Sequence, residues 1–310
     1  MIYKGGMAVK RGHIWPWAIP GLAALALRLS PALALAWARG VSRPLLRAMN
    51  RGTGRLPFPL AEPLALLLAA ALLGASARRL RRGCWRDALR AFLLPALALL
   101  SAYALLWLPN GFSEAVQRPV SPDPGRLEAL CGALVDALNA DAAEPPAPAD
   151  ALATAPAAAG LPGARAKAAR YPEWMRAKRV AGLFVPWTGE VLVDGGAAPA
   201  LIPYTAVHEL MHLSGVADEG MANIAAWRRC MDAGGGFALS ARLWALRYAA
   251  GLLAGADARA PERLEARMSP AALALWRASG GPIAPRSAGG SYHALVSWLS
   301  RQPLHTSTQP

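Results

Sequence analysis

Residues 58–77 read FPLAEPLALLLAAALLGASA, and residues 91–108 read AFLLPALALLSAYALLWL. The first run holds one charged residue, Glu62, near its start, and the second run holds none. Each run is close to the roughly 20 apolar residues that a helix needs to cross a bilayer. A helix packed on a soluble core would carry a polar stripe, and neither run has one. We therefore predict two membrane-spanning helices, with a pair of buried core helices as the alternative.

A further apolar segment precedes these runs at residues 14–36, where Arg28 interrupts it. It predicts either one spanning helix that accommodates Arg28, or a shorter span over residues 14–27 followed by an interfacial helix. No small-residue cleavage site follows the segment, so we expect an uncleaved first span rather than a signal peptide. The three segments together predict a transmembrane anchor over residues 1–110.

The basic residues of the chain are concentrated in this anchor. The chain has 33 Lys and Arg against 19 Asp and Glu, a net charge of +14, and 15 of the basic residues but only two acids lie in residues 1–110. The arginines flank apolar runs, and the chain has neither a zinc finger nor an RNP-type aromatic motif. We therefore expect a lipid bilayer as partner and no nucleic acid.

The distribution of arginines predicts the orientation of the anchor. Six arginines lie in residues 78–90, between the two apolar runs, and positively charged loops face the cytoplasm. The chain after Leu108 is then extracytoplasmic, and we expect a multi-pass protein of the bacterial cytoplasmic (inner) membrane. Residues 39–55 conflict with this orientation because they carry an arginine every four residues yet lie outside. Their spacing predicts an amphipathic helix on the membrane surface, with a solvated basic loop as the alternative.

Beyond residue 110 the composition changes, and residues 111–310 predict a mainly α-helical domain with a small β-element. Residues 126–140 place their leucines on one helical stripe, and the Ala/Pro-rich residues 141–163 predict a loop. Residues 182–194 predict a strand pair that turns at Thr188-Gly189. Further helices are expected at residues 206–213, 219–232, 238–254, 261–278 and 291–300.

The motif with chemical meaning is His208-Glu209-Leu210-Met211-His212. Positions i and i+4 of a helix share one face, so both imidazoles can hold one metal ion. Two imidazoles and a carboxylate are an established set for catalytic Zn²⁺, which we expect as the cofactor. Glu209 is then placed to take a proton from the attacking water and deliver it to the leaving amine. Two buried histidines with a capping glutamate are the structural alternative.

The residues after this motif predict the third ligand. Gly215 can end the helix, and Asp218 is a natural N-cap for the next one. Glu219 in the first turn of that second helix is the expected third metal ligand, with Asp218 as the alternative. Asn223 lies one turn further on the same face, where it would hydrogen-bond a ligand. Glu219 as an ordinary acid at a helix N-terminus is the structural alternative.

The stretch from Gly182 to Asn223 carries a resemblance. Its elements are Val185-Pro186-Trp187-Thr188-Gly189-Glu190, Asp194, Pro203-Tyr204-Thr205, the two histidines with Glu209, and Glu219-x-x-x-Asn223. It is similar to a bacterial membrane-protein family of unknown function, in which spanning helices precede an HExxH zinc-peptidase-like domain. The Glu-x-x-x-Asn pattern also resembles gluzincin peptidases, whose first glutamate binds zinc. This resemblance implies a zincin-like fold and peptide hydrolysis. Trp187, Asp194 and Met221 depart from the residues expected at those positions.

A peptidase also needs a group that stabilises the oxyanion. Tyr292 is the preferred candidate by residue type, and Tyr248 and His293 are alternatives. Thr188 and Glu190 are expected to shape an edge strand that holds an extended peptide substrate along residues 183–193. Cys131 and Cys230 both lie in the extracytoplasmic domain, so a disulfide between them stays open.

Three functions remain open from the sequence. The first is a membrane-anchored zinc metallopeptidase, and the second is an intramembrane metalloprotease. The second lacks a later apolar span that carries an aspartate ligand. The third is a non-enzymatic envelope protein with a structural or vestigial metal site. An intact Glu209 speaks against the third, because a structural site does not need that residue.

Overall fold

The computed structural model describes residues 22–23, 25–27, 29–112, 122–141, 143–283 and 289–302. Helices dominate this part of the chain, and a three-stranded sheet completes it. The first helices are α1 (Pro31–Trp37), α2 (Arg43–Thr53), α3 (Ala61–Arg81) and α4 (Trp85–Leu106); a π-helical segment, Ala38–Ser42, joins α1 to α2, and a 3₁₀ segment, Leu108–Phe112, follows α4. The remaining elements are α5 (Pro124–Ala140), α6 (Pro148–Ala158), β1 (Ala166–Ala168), α7 (Pro172–Ala177), β2 (Gly182–Val185), β3 (Glu190–Val193), α8 (Ile202–Ser214), α9 (Glu219–Ala233), α10 (Gly235–Ala256), α11 (Ala260–Glu265), α12 (Pro270–Ala278) and α13 (Gly289–Leu299).

Two helices among the described residues are long and apolar enough to cross a membrane, Ala61–Arg81 and Trp85–Phe112. They correspond to the second and third predicted spans. The two helices pack against each other, and residues 82–84 form the short connection between them. Residues 14–21, Ala24 and Arg28 of the first predicted span lie outside the described residues. The described end of that segment is α1, which continues through the π-helical segment into α2. Within the described part of the chain, two of the three predicted spans are therefore found as helices of sufficient length.

The secondary structure after residue 110 follows the predictions with two corrections. Residues 141–163, predicted as a loop, contain helix α6. Pro148 opens this helix with its preset φ, and the alanine-rich sequence favours it, so that Ala151, Leu152 and Ala155 are buried. The predicted helix 261–278 is interrupted, because Ser269 caps α12 through the backbone N–H of Ala272 and thereby starts a new helix.

The sheet has the order β1-β3-β2, with β3 parallel to β1 and antiparallel to β2. The predicted strand pair and its turn at Thr188-Gly189 are confirmed, whereas the three-residue β1 was too short to give a sequence signal. Because β3 is central, Glu190 does not lie on an edge strand, which corrects that part of the prediction. Among the described residues, β1 and β2 are the edge strands, and β2 is the one that lines the cavity described below.

Residues 39–55 form helical structure, so the loop alternative is wrong. Helix α2 packs onto the domain that follows: Leu46 is fully buried in the main core. The side-chain amide of Asn50 donates to the carbonyls of Arg165 and Gly189 and accepts the N–H of Arg165. Contacts therefore cross the predicted domain boundary near residue 110.

The arginines of α2 meet the far end of α8. The guanidinium groups of Arg43 and Arg47 donate to the carbonyls of Gly215 and Ser214, at 3.4 and 3.5 Å. Cations near the last carbonyls of a helix interact favourably with its dipole. The basic residues between the first two predicted spans therefore include two that support helix α8.

Helix α3 is anchored to the sheet by a buried carboxylate. Glu190 is 1% exposed and accepts the backbone N–H groups of Leu60 and Ala61, at 2.8 and 2.6 Å. The ammonium of Lys167 reaches the same carboxylate at 2.9 Å and also donates to the carbonyls of Thr53 and Phe58. Glu190 thus satisfies the free N–H groups at the start of α3 and neutralises a nearly buried lysine.

Replacing Glu190 by Ala is expected to lower the free energy of unfolding by about 3–5 kcal/mol, because it leaves Lys167 unpaired in a buried position. Denaturant unfolding of the purified full-length protein measures the change. The matched control is Glu128→Ala, which removes an ion pair with Arg263 that is at least half exposed on both sides. That control is expected to cost at most about 1 kcal/mol. Equal losses in the two variants would contradict the structural role of Glu190.

Candidate metal centre

The site begins with helix α8 and the turn that ends it. Gly215 follows the last helical residue with φ of +104°, a left-handed conformation that glycine adopts without strain. Asp218 then accepts the N–H of Met221 at 2.8 Å and caps α9. The turn reverses the chain, so that the first turn of α9 lies beside the histidines of α8. Asp218, the alternative ligand, is thus engaged as a helix cap.

His208, His212 and Glu219 converge on one point, and of the described residues this group of His, Cys, Asp and Glu side chains is the one that could hold a metal ion. The Nε2 atoms of the two histidines are 3.2 Å apart. Glu219 approaches with both oxygens: Oε2 lies 3.2 Å from Nε2 of His208, and Oε1 lies 3.4 Å from Nε2 of His212. Both imidazoles are buried, whereas the Glu219 side chain is 58% exposed and forms the open side of the site.

The separation of the two imidazole nitrogens is that of two ligands of a tetrahedral zinc ion, and one ligand atom from each of the three residues lies within 4.8 Å of the others. With bonds of about 2.0–2.1 Å to each ligand, two ligand atoms of a tetrahedral ion lie about 3.3 Å apart. The Nδ1–H of His212 donates to the carbonyl of Val216 at 2.7 Å, which turns its Nε2 atom toward the cluster. Such a hydrogen bond is the usual way in which proteins orient a metal-binding imidazole.

The electrostatics of the site favour a cation. Burial opposes ionisation of Glu219, but the hydrogen bonds from His208 and His212 hold its pKa well below the usual range. Burial alone would lower the pKa of His212, yet the hydrogen bond to Glu219 and the charge of Glu209 raise it to about 9. Two carboxylates therefore stabilise positive charge at the point where the imidazoles meet.

Glu209 lies against the first strand of the hairpin. Its carboxylate accepts a hydrogen bond from the backbone N–H of Phe184 in β2. Burial is the main reason that its pKa is raised, and the two histidines oppose that shift. A carboxylate with a raised pKa suits proton transfer near neutral pH. Gly182 makes this approach possible: a Cβ atom at that position would lie 2.6 Å from Cγ and 2.7 Å from Oε1 of Glu209.

Asn223 is fully buried behind the ligands. The hydroxyl of Tyr204 donates to its side-chain oxygen and to its backbone carbonyl, both at 3.1 Å. The Nδ2 atom of Asn223 and the Nδ1 atom of His208 are buried and without hydrogen-bond partners among the described residues. Asn223 is thus on the expected face of α9, while a direct bond to a ligand is absent from the described contacts.

The ligands line a cavity of about 580 Å³. Its wall includes residues that sequence reasoning missed, namely Tyr103 and Trp107 from the end of α4, and Arg179. The ring of Trp107 packs at 5.1 Å from Phe184 and at 5.7 Å, edge-on, from His212. Arg179 has a φ of +56°, which is unusual for a residue with a side chain. No local sequence pattern marks these residues, because α4 reaches the site only through the tertiary fold.

Two of the three expected oxyanion-stabilising residues, Tyr248 and His293, are not brought to this cavity. Tyr248 is buried in α10, where its ring stacks on Trp244 at 5.4 Å. His293 lies in α13 and is not among the residues that line the cavity. The side chain of Tyr292 lies outside the described part of the structure. Tyr103 and Arg179 are among the side chains in the wall that can donate to a substrate oxygen.

The comparison with protein families matches residues 37–280 to a family described as a protein of unknown function, DUF3810. This match covers well over half of the chain and includes α3, α4 and the whole metal-ligand cluster. The chain belongs to the DUF3810 family. No curated protein and no solved structure matches it. Membership in DUF3810 agrees with the expected family of unknown function, and its description assigns no activity.

The cysteines take no part in the site. Cys131 in α5 and Cys230 in α9 are both free and buried, and burial raises the pKa of the Cys131 thiol to about 12. The two cysteines therefore form no disulfide with each other in this structure. Cys84 is free and exposed in the connection between α3 and α4.

Proposed function

We propose that this protein is a membrane-anchored zinc metallopeptidase with a gluzincin-like ligand set. The observation that carries the proposal is the convergence of His208, His212 and Glu219 at spacings of 3.2–3.4 Å, with Glu209 in the same cavity. The three ligands match the two-histidine, one-carboxylate set of catalytic zinc sites. The resemblance to zincin-type peptidases, which rests on the sequence motif, adds to this support.

The chemistry divides between the ion and the chain. When bound, zinc supplies a Lewis acid that polarises the scissile carbonyl and activates water. Glu209 accepts the proton of the attacking water and delivers it to the leaving amine. Tyr103 or Arg179 is positioned in the wall to donate a hydrogen bond to the developing oxyanion.

The open edge of β2 is the proposed binding place for the peptide backbone. The N–H of Asp194 donates to the carbonyl of Ala181, so Ala181 faces β3. Because backbone groups alternate along an antiparallel strand, those of Gly182 and Phe184 face the open edge. The N–H of Phe184 is engaged by Glu209, so the N–H of Gly182 and the carbonyls of Gly182 and Phe184 are the groups proposed to pair with a peptide. An extended peptide added to that edge would lie beside Glu209 and the metal ligands, both of which share the cavity with Gly182 and Phe184.

The proposal of a membrane anchor is based on the exposure of α3 and α4. In the most apolar 18-residue window of each helix, 0% and 6% of the residues are buried inside the protein. Core helices of a soluble protein would be mostly buried, so a bilayer is the covering that these faces fit. The arginines at residues 78–90 favour an orientation with the connection between the helices in the cytoplasm and the metal centre on the opposite side.

The intramembrane alternative fits less well. Helix α8 has 13 residues, whereas a spanning helix needs roughly 20. It is also enclosed by other parts of the chain, with twelve of its residues buried. These features favour a catalytic domain beside the membrane rather than a site on a spanning helix.

Removal and return of the metal test the proposed function. The purified full-length protein is incubated with a mixture of unlabelled peptides, and mass spectrometry detects new termini. We expect cleavage by the zinc-loaded protein, loss of cleavage after chelation, and recovery when about one equivalent of Zn²⁺ is restored. Absence of cleavage with zinc bound, or cleavage that survives complete chelation, would contradict the proposal.

A further inference from the structure

A second cavity, of about 750 Å³, lies where the two apolar helices meet the sheet. Its wall combines Leu64 and Leu68 of α3, Leu99 of α4, Leu183 and Val185 of β2, and Leu192 of β3. It is therefore built jointly by the proposed anchor and the domain that carries the metal ligands. We call it the apolar cavity.

Few polar groups in the wall of the apolar cavity are available to a ligand. The carboxylate of Glu62 already accepts the backbone N–H groups of Arg170 and Tyr171, at 2.9–3.2 Å. The hydroxyl of Thr188 is buried and has no hydrogen-bond partner among the described residues. An extended peptide in such a space would leave its N–H and C=O groups unsatisfied. A hydrocarbon chain has no such groups and incurs no such cost.

The position along α3 places the apolar cavity at the depth of lipid tails. Leu64 and Leu68 lie 14 and 10 residues before Arg78, which is about 21 and 15 Å along the helix. With Arg78 and Arg79 at one surface of a hydrocarbon layer of about 30 Å, the wall that α3 contributes to the cavity lies at the level of the opposite leaflet. Three exposed aromatic residues line its wall, Tyr171, Trp174 and Trp187, and such residues concentrate at membrane interfaces.

The apolar cavity adjoins the metal-site cavity. Leu183 and Trp187 line both. The indole N–H of Trp187 donates to the carbonyl of Leu99 at 3.1 Å, and its ring packs at 5.6 Å from Tyr103. The hairpin that carries the open edge of β2 is thus docked against α4 between the two cavities.

We propose that the apolar cavity binds a fatty acyl chain and that the substrates are therefore lipid-anchored, acylated peptides. The acyl chain enters from the leaflet and lies against α3, while the attached peptide runs along the edge of β2 to the metal ligands. The substrate class rests on the proposed peptidase function; the acyl-binding site does not. The acyl group stays intact in this assignment, and the bond that breaks is the peptide bond at the metal.

The test is photo-crosslinking with a matched pair of short peptides, one carrying an N-terminal palmitoyl chain with a terminal diazirine and one carrying the diazirine without the chain. Full-length protein in phospholipid nanodiscs carries Glu209→Gln, so that the probe is not consumed. Mass spectrometry maps the labelled residues. Ala65→Trp and Leu64→Trp narrow the cavity, and Ala70→Trp adds the same bulk to an exposed position outside it. Thermal unfolding checks that each variant is folded.

We expect the acylated probe to label the cavity wall, including Leu68, Val185 and Leu192. Labelling should fall about tenfold in each folded narrowing variant and stay unchanged in Ala70→Trp, because loss of about two buried methylene groups accounts for that factor. Even labelling of all outward faces of α3 and α4, or loss of cavity labelling on adding excess phospholipid, would overturn the proposal. So would displacement by an apolar helical peptide. If the cavity is labelled in chelated protein and no assay detects peptide cleavage, the proposal of an acyl-binding site stands. The proposed peptidase function alone is then refuted.

Discussion

Replacing Glu209 by Gln is expected to lower kcat/KM for peptide cleavage by about 10²–10⁴-fold, the usual contribution of a general acid–base group. Glutamine has nearly the same shape and can still accept the N–H of Phe184, but it cannot take up a proton. The wild-type carboxylate of Glu209 lies beside the metal ligands and is not one of them, so the zinc content of the variant should stay at the wild-type value. Steady-state kinetics beside elemental analysis separates these two effects.

The control for this substitution is Glu173→Gln, which removes an exposed carboxylate on α7. It should leave both activity and metal content unchanged. Full activity in Glu209→Gln would refute the proton-transfer role of Glu209. Loss of zinc from that variant would instead indicate that Glu209 is itself a ligand or is needed to hold one.

Gly182→Ala is expected to lower kcat/KM by roughly 10²-fold, as misplacement of a catalytic group by about 1 Å commonly does. The added methyl group would lie 2.6–2.7 Å from the side chain of Glu209 and 2.9 Å from Cγ2 of Thr205. Either the carboxylate or the edge of β2 must then move, and both are parts of the proposed site. The metal ligands are not among the three nearest atoms, so zinc should be retained.

Gly52→Ala is the matched control for Gly182→Ala, because a Cβ atom at position 52 meets nothing within 4 Å. Kinetics of both variants, with circular dichroism to verify folding, gives the comparison. A Gly182→Ala variant as active as Gly52→Ala would show that the close approach of β2 to Glu209 is not required.

The parts of the site that the sequence predicted are local ones. The spacing of His208 and His212 places both on one face of any helix, and the signals at Gly215 and Asp218 indicate a turn that returns Glu219 to them. The hairpin at residues 182–194 likewise followed from a short local pattern. These features depend on residues that are close in sequence, so their arrangement is nearly fixed by backbone geometry.

The features that the sequence did not predict depend on distant contacts. Trp107 gives no local sign that it packs against His212, and Glu190 gives none that it caps α3. Both facts require the packing of the apolar helices on the sheet, which periodicity does not specify. Helix α6 was missed for another reason: its prolines suggested a loop, although Pro148 stands in the first turn, where proline is tolerated.

The central claim is that His208, His212 and Glu219 hold a zinc ion, and elemental analysis of the purified full-length protein tests it most directly. Wild type is measured beside His208→Ala and Glu219→Ala, with each variant verified as folded. We expect about one zinc per wild-type chain and its loss from both variants, because two remaining ligands hold zinc poorly. A well-folded wild-type protein that binds no metal even after incubation with Zn²⁺ would contradict the claim, and retention of zinc by Glu219→Ala would remove Glu219 from the ligand set.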